Sequence, residues 1–193
     1  MAGNAAKTVH SSKPIDEHKV HMKAVSGFAP IAGSGAKTLV LGSLPSQLSL
    51  QKQQYYGNPQ NKFWQLMGEL FAAGPELPYT ERADRLAACG VAVWDVLQSS
   101  VRPGSMDSAI EQSSAVANDF VAFFAQQPDI RLVCFNGQKA AQLFTRLVAP
   151  GLDAPCKTLR YQTLPSTSPA HASMSFEKKL EHWSILKNAT LAG

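Results

Sequence analysis

The sequence predicts a single-domain, three-layer α/β/α fold around a central four-stranded parallel sheet. Four short runs rich in valine and leucine do not alternate strictly between polar and apolar residues, which is typical of buried parallel strands. Helical patterns separate these runs, and strands that alternate with helices indicate a parallel sheet with helices on both faces. The chain has 193 residues, 45% of them hydrophobic, which suits one domain with a sizeable core.

Each element has its own sequence signal. The predicted strands are Lys37–Gly42, Val91–Val96, Arg131–Phe135 and Leu159–Leu164. The predicted helices are Pro59–Ala73, one capped by Thr80 that ends at Gly90, Asn118–Gln127, Gln138–Val148 and Ser175–Asn188. Asn58 is the expected N-cap of the first helix and Pro59 suits its first position, which puts Asn61 in the first turn. A long serine-rich connection spans Ser99–Ser114.

The ends of the chain and its cysteines bear on organisation and compartment. Residues 1–26 are polar and without a clear period, so we expect a mobile tail there, followed by one domain over residues 27–193. No signal segment and no run long enough to span a bilayer is recognisable. Cys89, Cys134 and Cys156 form no CxxC motif, and an odd number of cysteines favours a reducing compartment. We therefore expect a cytoplasmic protein.

The charge of the chain suits an anionic partner without identifying one. The formal net charge is +4. The basic residues are scattered, which is typical of a solvated surface unless several of them line one face. They include Lys52, Lys62, Arg102, Lys139, Arg146, Lys157 and Arg160.

Polar or turn residues stand at the ends of all four predicted strands, at Gly42–Ser46, Asp95, Asn136-Gly137 and Pro165–Ser168. Ligands of open parallel sheets bind outside the carboxyl ends of the strands. We therefore expect a crevice here, lined by main-chain amides, hydroxyls and an amide side chain, that accepts a small ligand or a nucleotide.

Several common chemistries are excluded by missing motifs. The chain contains no GxxxxGK[ST], GxGxxG or GxSxG sequence, which excludes a phosphate-binding P-loop, a dinucleotide fingerprint and a nucleophile elbow. Three of the five histidines fall in the first 26 residues and no ligand spacing accompanies them, so no metal site is predicted.

Four sequence blocks stand at the predicted strand ends: Leu41–Ser46 with Tyr55–Trp64, Trp94–Leu97 with Arg102–Ile110, Phe135–Gly137 with Lys139 and Ala140, and Leu164–His171. Together they resemble motifs of the uracil-DNA glycosylase superfamily, and within it the hypoxanthine (deoxyinosine) branch. The resemblance covers roughly residues 27–188. It implies the uracil-DNA glycosylase-like fold and a DNA glycosylase of base-excision repair that hydrolyses the N-glycosidic bond of deaminated bases, hypoxanthine first and uracil or xanthine second.

The same resemblance sets expectations for partners and cofactors. It implies double- and single-stranded DNA with deaminated bases as the partner, a monomeric enzyme, and neither metal nor organic cofactor. No lysine in the blocks is placed for a Schiff base, so the enzyme would be monofunctional and leave the strand uncut.

Two departures from the wider superfamily affect catalysis. Most members have Asp or Asn before the proline of the first motif and His or Asn before the Pro-Ser of the last, where this chain has Leu44 and Leu164. Resemblance to the hypoxanthine branch, which shares both departures, assigns catalysis to Asn61, whose amide acts on the leaving base or holds the water. Tyr56 corresponds to the aromatic residue that stacks on the flipped base in mismatch-specific uracil glycosylases.

The other expected contacts follow from the same blocks. Main-chain amides of the Gly42, Ser43 and Leu44 segment would bind a base oxygen as an oxyanion hole does, and Asn136 would read the Watson–Crick edge. The predicted DNA contacts are Ser46, Ser166, Ser168, His171 and Met174, and Met174 is the predicted wedge for the gap left by a flipped base.

Structural roles compete with these assignments. Asn61 can instead satisfy backbone amides, Tyr56 can be a core-edge aromatic, and Asn136 can cap the helix that follows it. Asp95 is expected to anchor a loop, namely residues 105–110, and Met174 can be a loose surface residue. For the whole protein, the alternatives are a uracil- or mismatch-specific glycosylase of the same fold and a non-catalytic DNA- or nucleotide-binding module.

Overall fold

The computed structural model describes residues 24–153, 156 and 158–191. In these residues the strands are β1 (Val25–Ser26), β2 (Thr38–Gly42), β3 (Val91–Asp95), β4 (Leu97–Ser100), β5 (Val116–Ala117), β6 (Leu132–Asn136) and β7 (Arg160–Leu164). The α-helices are α1 (Gln47–Lys52), α2 (Phe63–Phe71), α3 (Tyr79–Ala88), α4 (Phe120–Gln126), α5 (Gln138–Leu147), α6 (Phe176–Trp183) and α7 (Ile185–Leu191). In the same residues no helix is long and apolar enough to cross a membrane.

The central sheet has four parallel strands in the order β3-β2-β6-β7. Every residue of β2 and β3 is buried, as expected for strands covered on both faces. The register aligns the strand ends, with Gly42 opposite Asp95 and Asn136 opposite Leu164. The predicted four-stranded parallel sheet is confirmed, and each strand lies within one residue of its predicted bounds.

The helices form two layers, one on each side of the sheet. In one layer α2 contacts α3 and α6, α6 contacts α7, and α7 packs against β2. In the other, α5 packs against β6 and β7, and the rings of Phe120 in α4 and Phe144 in α5 lie 5.3 Å apart between centroids. The chain runs from β2 to β3 on one side and then crosses back past β2 to β6 and β7 on the other. Right-handed crossovers in these two directions place the connecting helices on opposite faces. The predicted three-layer architecture is confirmed.

A second sheet, antiparallel in the order β1-β4-β5, was not predicted from the sequence. Its strands are only two to four residues long, which is too short for a periodic signal. Val25–Ser26 pairs with Ser99–Ser100, and ordered structure therefore begins before Gly27, where the sequence predicted the domain to start. The rest of the predicted tail, residues 1–23, lies outside the described residues.

The start of α2 differs from the prediction. The helix begins at Phe63 with Lys62 as its N-cap, not at Pro59 after Asn58. The carbonyl of Thr167 accepts the Lys62 N–H at 3.0 Å, and the Asn58 side chain accepts the N–H of Gln60 at 2.9 Å. These bonds hold residues 58–61 as a turn, so that Asn61 precedes the helix instead of lying in its first turn.

Two other helix boundaries also differ. Thr80 lies inside α3, whose N-cap is Pro78. The helix predicted over Ser175–Asn188 is two helices, α6 and α7, separated at Ser184. Ser175 does cap α6, since its hydroxyl accepts the N–H of Lys178 at 3.3 Å.

Candidate active site

A cleft of about 310 Å³ opens at the carboxyl ends of the central strands. It lies where the chain order reverses beside β2, the position at which open α/β sheets bind ligands. Gly42, Asp95, Asn136 and Ser166 all line it, so the structure brings together the four strand ends that the sequence singled out. Residues 105–108, in the connection after β3 and β4, and residues 166–168, 170 and 171, in the loop after β7, line it on opposite parts, because β3 and β7 are the two edge strands of the sheet.

The loop after β2 offers unpaired donors to this cleft. In the part of the chain that the structure describes, the backbone N–H groups of Ser43, Leu44 and Ser46 make no hydrogen bond. Gly42 allows the close approach of Asp95, because a β-carbon at Gly42 would overlap the Asp95 carboxylate. Leu44 lines the cleft although only 5% of it is exposed. The arrangement suits a carbonyl oxygen as ligand.

Arg102 and Asp107 hold this loop in place. The Arg102 guanidinium is buried and donates to the carbonyl oxygens of Leu44, at 3.1 Å, and Pro45. The Ser43 hydroxyl donates to the Asp107 carboxylate at 2.6 Å. The prediction that Arg102 lies on a solvated surface is therefore wrong. The sequence carries no signal for the burial of Arg102, because its acceptors are backbone carbonyls more than 50 residues away.

Asp95 is one of two cleft residues, with Tyr56, that have a buried polar atom without a hydrogen-bond partner in the described structure. Its carboxylate is buried, and Oδ2 has no hydrogen-bond partner among the described residues. Burial, and next the charge of Asp107, raise the pKa of Asp95 to about 7, while Arg102 acts in the opposite direction. The expectation that Asp95 anchors residues 105–110 is wrong, because Asp107 makes that link to Ser43. The sequence signal for this side chain is an acidic residue that ends a fully buried strand.

Tyr56 presents one ring face to the protein. Its ring stacks on Phe63 at 3.9 Å between centroids and an interplanar angle of 22°, so a ligand can stack only on the opposite face. The backbone of Tyr56 has φ 53, a left-handed conformation that is unusual for a bulky residue and often marks functional sites. Its hydroxyl is buried and makes no hydrogen bond of normal geometry in the described structure. Burial, followed by the charge of Asp95, raises the pKa of Tyr56, whereas the Asn136 side chain, which lies close enough to interact with the hydroxyl, acts in the opposite direction.

Asn61 lies at the cleft with its amide oriented. Its Oδ1 accepts the backbone N–H of Phe63 at 3.0 Å. A backbone N–H can only donate, so the atom that faces it must be the oxygen, which fixes the orientation of the amide. Within the described residues Nδ2 makes no hydrogen bond and remains a free donor.

Asn136 connects two sides of the cleft instead of capping α5. Its Nδ2 donates to Thr167 Oγ1 at 2.8 Å, and its Oδ1 accepts the Thr167 N–H at 2.9 Å. The N-cap of α5 is Gly137, with φ 95 and no side-chain cap. The Asn136 amide keeps one N–H and one lone pair for a ligand. Thr167, fully buried, is a positioning residue that sequence reasoning missed.

Four of the five predicted DNA contacts line the cleft: Ser46, Ser166, Ser168 and His171. Ser46 also caps α1 by accepting the Ser49 N–H at 3.2 Å. Met174 is half-buried and does not line the cleft.

Two long side chains of α6 donate hydrogen bonds to the two ends of the loop over residues 165–171. Trp183 donates to the Pro165 carbonyl at 3.0 Å. The buried Lys179 donates to the His171 carbonyl at 2.8 Å, and burial and the charge of Lys62 lower the Lys179 pKa. In the described residues no group of three or more His, Cys, Asp or Glu side chains is arranged to hold a metal ion.

Comparison with known proteins identifies the family. Residues 30–188 match the Uracil DNA glycosylase superfamily. The chain is 34% identical over 163 residues to a hypoxanthine DNA glycosylase of Methanosarcina acetivorans, covering 84% of this chain and 98% of the relative. It is also 34% identical over 128 residues to a hypoxanthine DNA glycosylase of Methanosarcina barkeri, covering 66% of this chain and 80% of the relative.

A solved structure supports the same conclusion. The solution NMR structure of a Methanosarcina acetivorans protein is similar with a TM-score of 0.71 and 32% identity, covering 86% of this chain and 99% of that one. Sequence and fold thus agree over most of the chain. The chain belongs to the uracil DNA glycosylase superfamily, as its four sequence blocks predicted.

Proposed function

We propose that this protein is a monofunctional DNA glycosylase that starts base-excision repair by hydrolysing the N-glycosidic bond of deaminated bases, hypoxanthine first and uracil or xanthine second. The observation that carries the proposal is one cleft in which the free Asn61 Nδ2, the unpartnered Asp95 oxygen and free backbone N–H groups occur together. The likeness to two relatives named hypoxanthine DNA glycosylase supports it.

Recognition would depend on the feature that deaminated bases share. Hypoxanthine, xanthine and uracil each have a ring N–H beside a carbonyl, as do guanine and thymine, whereas adenine and cytosine have an acceptor nitrogen beside an amino group. An ionised Asp95 only accepts, and the N–H groups of Ser43 and Leu44 only donate. An Asp95 acceptor next to these donors would match the first group of bases. An adenine would place its ring nitrogen against the carboxylate and leave buried polar groups unpaired, which gives strong discrimination. This contact therefore separates hypoxanthine from adenine and uracil from cytosine, and it does not reject guanine or thymine.

Catalysis would come from a donor aimed at the leaving base. As the glycosidic bond breaks, its electron pair moves to the base, and preorganised donors stabilise that charge. Because the Asn61 oxygen already accepts the Phe63 N–H, we assign the amide N–H to a hydrogen bond with the leaving base and not to positioning the attacking water. Among the described residues that line the cleft there is no lysine to form a Schiff base, which supports base release without strand cleavage.

The remaining residues would hold the DNA and the extruded nucleotide. Tyr56 would stack on the base through its free face, and Asn136 would use its remaining N–H and lone pair on the base edge. Ser46, Ser166, Ser168 and His171 would contact the DNA backbone, with Met174 further along the same loop. The enzyme would act as a monomer on double- and single-stranded DNA, in the cytoplasm, with neither metal nor organic cofactor.

Base release from defined DNA tests the proposal. The protein, in buffer with a chelator, is incubated with oligonucleotides that carry hypoxanthine, uracil, xanthine or only normal bases, and free base is measured by mass spectrometry. We expect hypoxanthine to be released fastest and the strand to break only after alkali. Binding without release would indicate a non-catalytic module, and faster release of uracil in every pairing context would indicate a uracil glycosylase.

A further inference from the structure

A base that leaves the duplex leaves a gap, and glycosylases of any specificity gain if an apolar side chain fills it. The 166–171 loop has no long apolar side chain for this purpose, since its sequence is Ser-Thr-Ser-Pro-Ala-His. Met174 follows this loop but is half-buried and does not line the cleft. An apolar side chain that fills the gap would therefore have to come from the opposite part of the cleft lining, residues 105–108.

Met106 stands at that opposite part. It lines the cleft, and 58% of it is exposed, the largest exposure of any large hydrophobic residue in the described chain. The other large apolar residues that line the cleft are buried or half-buried, as with Leu44 and Tyr56. A single exposed apolar residue on a surface is ordinary, but this one stands beside the opening through which a nucleotide would have to enter.

The backbone on either side of Met106 is tied to the loop that lines the base site. On one side the Ser105 hydroxyl accepts the Gln47 N–H at 3.0 Å. On the other side Asp107 accepts the hydrogen bond of Ser43 at 2.6 Å, and the Met106 carbonyl accepts the Ala109 N–H at 3.0 Å. Met106 is thus an exposed side chain on a braced backbone, which lowers the conformational entropy lost when it is inserted.

We propose that Met106 inserts into the DNA base stack from the 105–108 side and fills the space vacated by the extruded base. This inference rests on the proposed glycosylase function. Methionine suits the role because its unbranched thioether adapts to irregular gaps and makes favourable contacts with ring faces. Ser105 before it and Ser108 two positions after it are exposed and small, and the Asp107 carboxylate between Met106 and Ser108 is bound by the Ser43 hydroxyl, so the duplex can approach the methionine closely.

The test compares paired and unpaired substrates. Single-turnover release of hypoxanthine is measured from a duplex and from the single strand of the same sequence, for Met106→Ala, Met106→Leu and Met174→Ala. Val121→Ala, at another exposed apolar residue, is the matched control. We expect Met106→Ala to slow release from the duplex about tenfold, since filling one vacated stacking step is worth more than about 1.4 kcal/mol. Release from the single strand should not change, and Met106→Leu should keep most of the duplex rate.

A binding measurement makes the test independent of turnover. A 2-aminopurine next to the lesion should brighten when the unaltered protein binds and unstacks it, and should brighten less with Met106→Ala. Equal losses on both substrates, no loss at all, or a duplex-selective loss confined to Met174→Ala would overturn the role of Met106. If the unaltered protein releases no base from either substrate, the proposed function fails, and the 2-aminopurine signal still decides whether Met106 inserts.

Discussion

The side-chain oxygen of Asn61 accepts the backbone N–H of Phe63 at 3.0 Å, immediately before α2. This bond directs the amide, because the oxygen serves the start of the helix and Nδ2 has no partner in the described structure. The sequence left two roles open for Asn61, the satisfaction of backbone amides and action at the base. The geometry allows both roles at once. Because the Asn61 oxygen accepts the Phe63 N–H, the group that Asn61 offers to the cleft is the donor Nδ2.

The first prediction separates these roles by substitution. Asn61→Asp at pH 8 keeps the oxygen that caps Phe63 but is ionised and cannot donate. Asn61→Ala loses both functions. We expect both variants to lower the single-turnover rate of hypoxanthine release by roughly one hundredfold or more, as for the loss of one preorganised donor. Only Asn61→Ala should also lose about 1 kcal/mol of stability, measured by urea unfolding, because it removes the hydrogen bond to the Phe63 N–H. A near-wild-type rate for Asn61→Asp would assign the acceptor oxygen to the chemistry.

The parts of the molecule that the sequence predicts are those fixed by local pattern. The four central strands are runs of buried valine and leucine, and burial on both faces leaves that signature in sequence. The start of α2 is fixed by the Thr167 carbonyl, which lies over 100 residues away and leaves no local signal. The three-stranded sheet was missed because its strands, two to four residues long, are too short to show a period.

The residues of the cleft likewise fall into those whose positions the sequence reveals and those whose positions it does not. The positions of Gly42 and Asn136 follow from strand ends, which a sequence reveals. The burial of Arg102 and the brace between Ser43 and Asp107 depend on the path of the intervening loop, which the sequence does not reveal. The raised pKa of Asp95 likewise depends on burial and on a neighbour 12 positions away in the chain.

The second prediction concerns the pH dependence of stability. The pKa of Asp95 is about 7 in the folded protein against 3.8 as its ordinary value. Between these values the unfolded chain has lost the proton that the folded protein still binds, so folding becomes less favourable as pH rises. We expect the contribution of Asp95 to stability to fall from about pH 4 to about pH 7, by at most about 1.4 kcal/mol per pH unit, and to level off above.

Asp95→Asn is the control for this effect. It removes the titration at nearly constant shape, so the stability difference between variant and unaltered protein should grow in favour of the variant from pH 4 to pH 7 in urea unfolding. Hypoxanthine release by the unaltered protein should rise over pH 6–8, because the proposed acceptor is the ionised form. A pH-independent difference in stability would show that Asp95 is ionised in the folded protein throughout this range.

The third prediction concerns substrate choice. Leu44 lines the cleft at the position where the wider superfamily has a polar residue, whereas Leu164 is buried and does not line it. Leu44→Asn should therefore raise the rate of uracil release, measured on U-containing duplex. Leu164→Asn should leave uracil release unchanged and cost about 1–3 kcal/mol through an unpaired buried amide. If uracil release rises in neither variant, or in Leu164→Asn alone, Leu44 does not set the preference.

The fourth prediction separates the ring of Tyr56 from its hydroxyl. The ring stacks on Phe63 at 3.9 Å, whereas the hydroxyl is buried without a partner among the described residues. Tyr56→Phe should keep the rate of hypoxanthine release and the stability, because it keeps the stacked ring and removes a hydroxyl that makes no hydrogen bond of normal geometry. Tyr56→Ala removes the stacking face, worth about 1–3 kcal/mol per base, and should slow release from paired duplex about tenfold or more. Phenylalanine and alanine adopt the left-handed backbone at φ 53 at a similar cost, so backbone strain does not explain a difference in rate between the two variants.

If Tyr56→Phe is as slow as Tyr56→Ala, the hydroxyl takes part in binding or chemistry, and its position beside Asp95 becomes the next relationship to test.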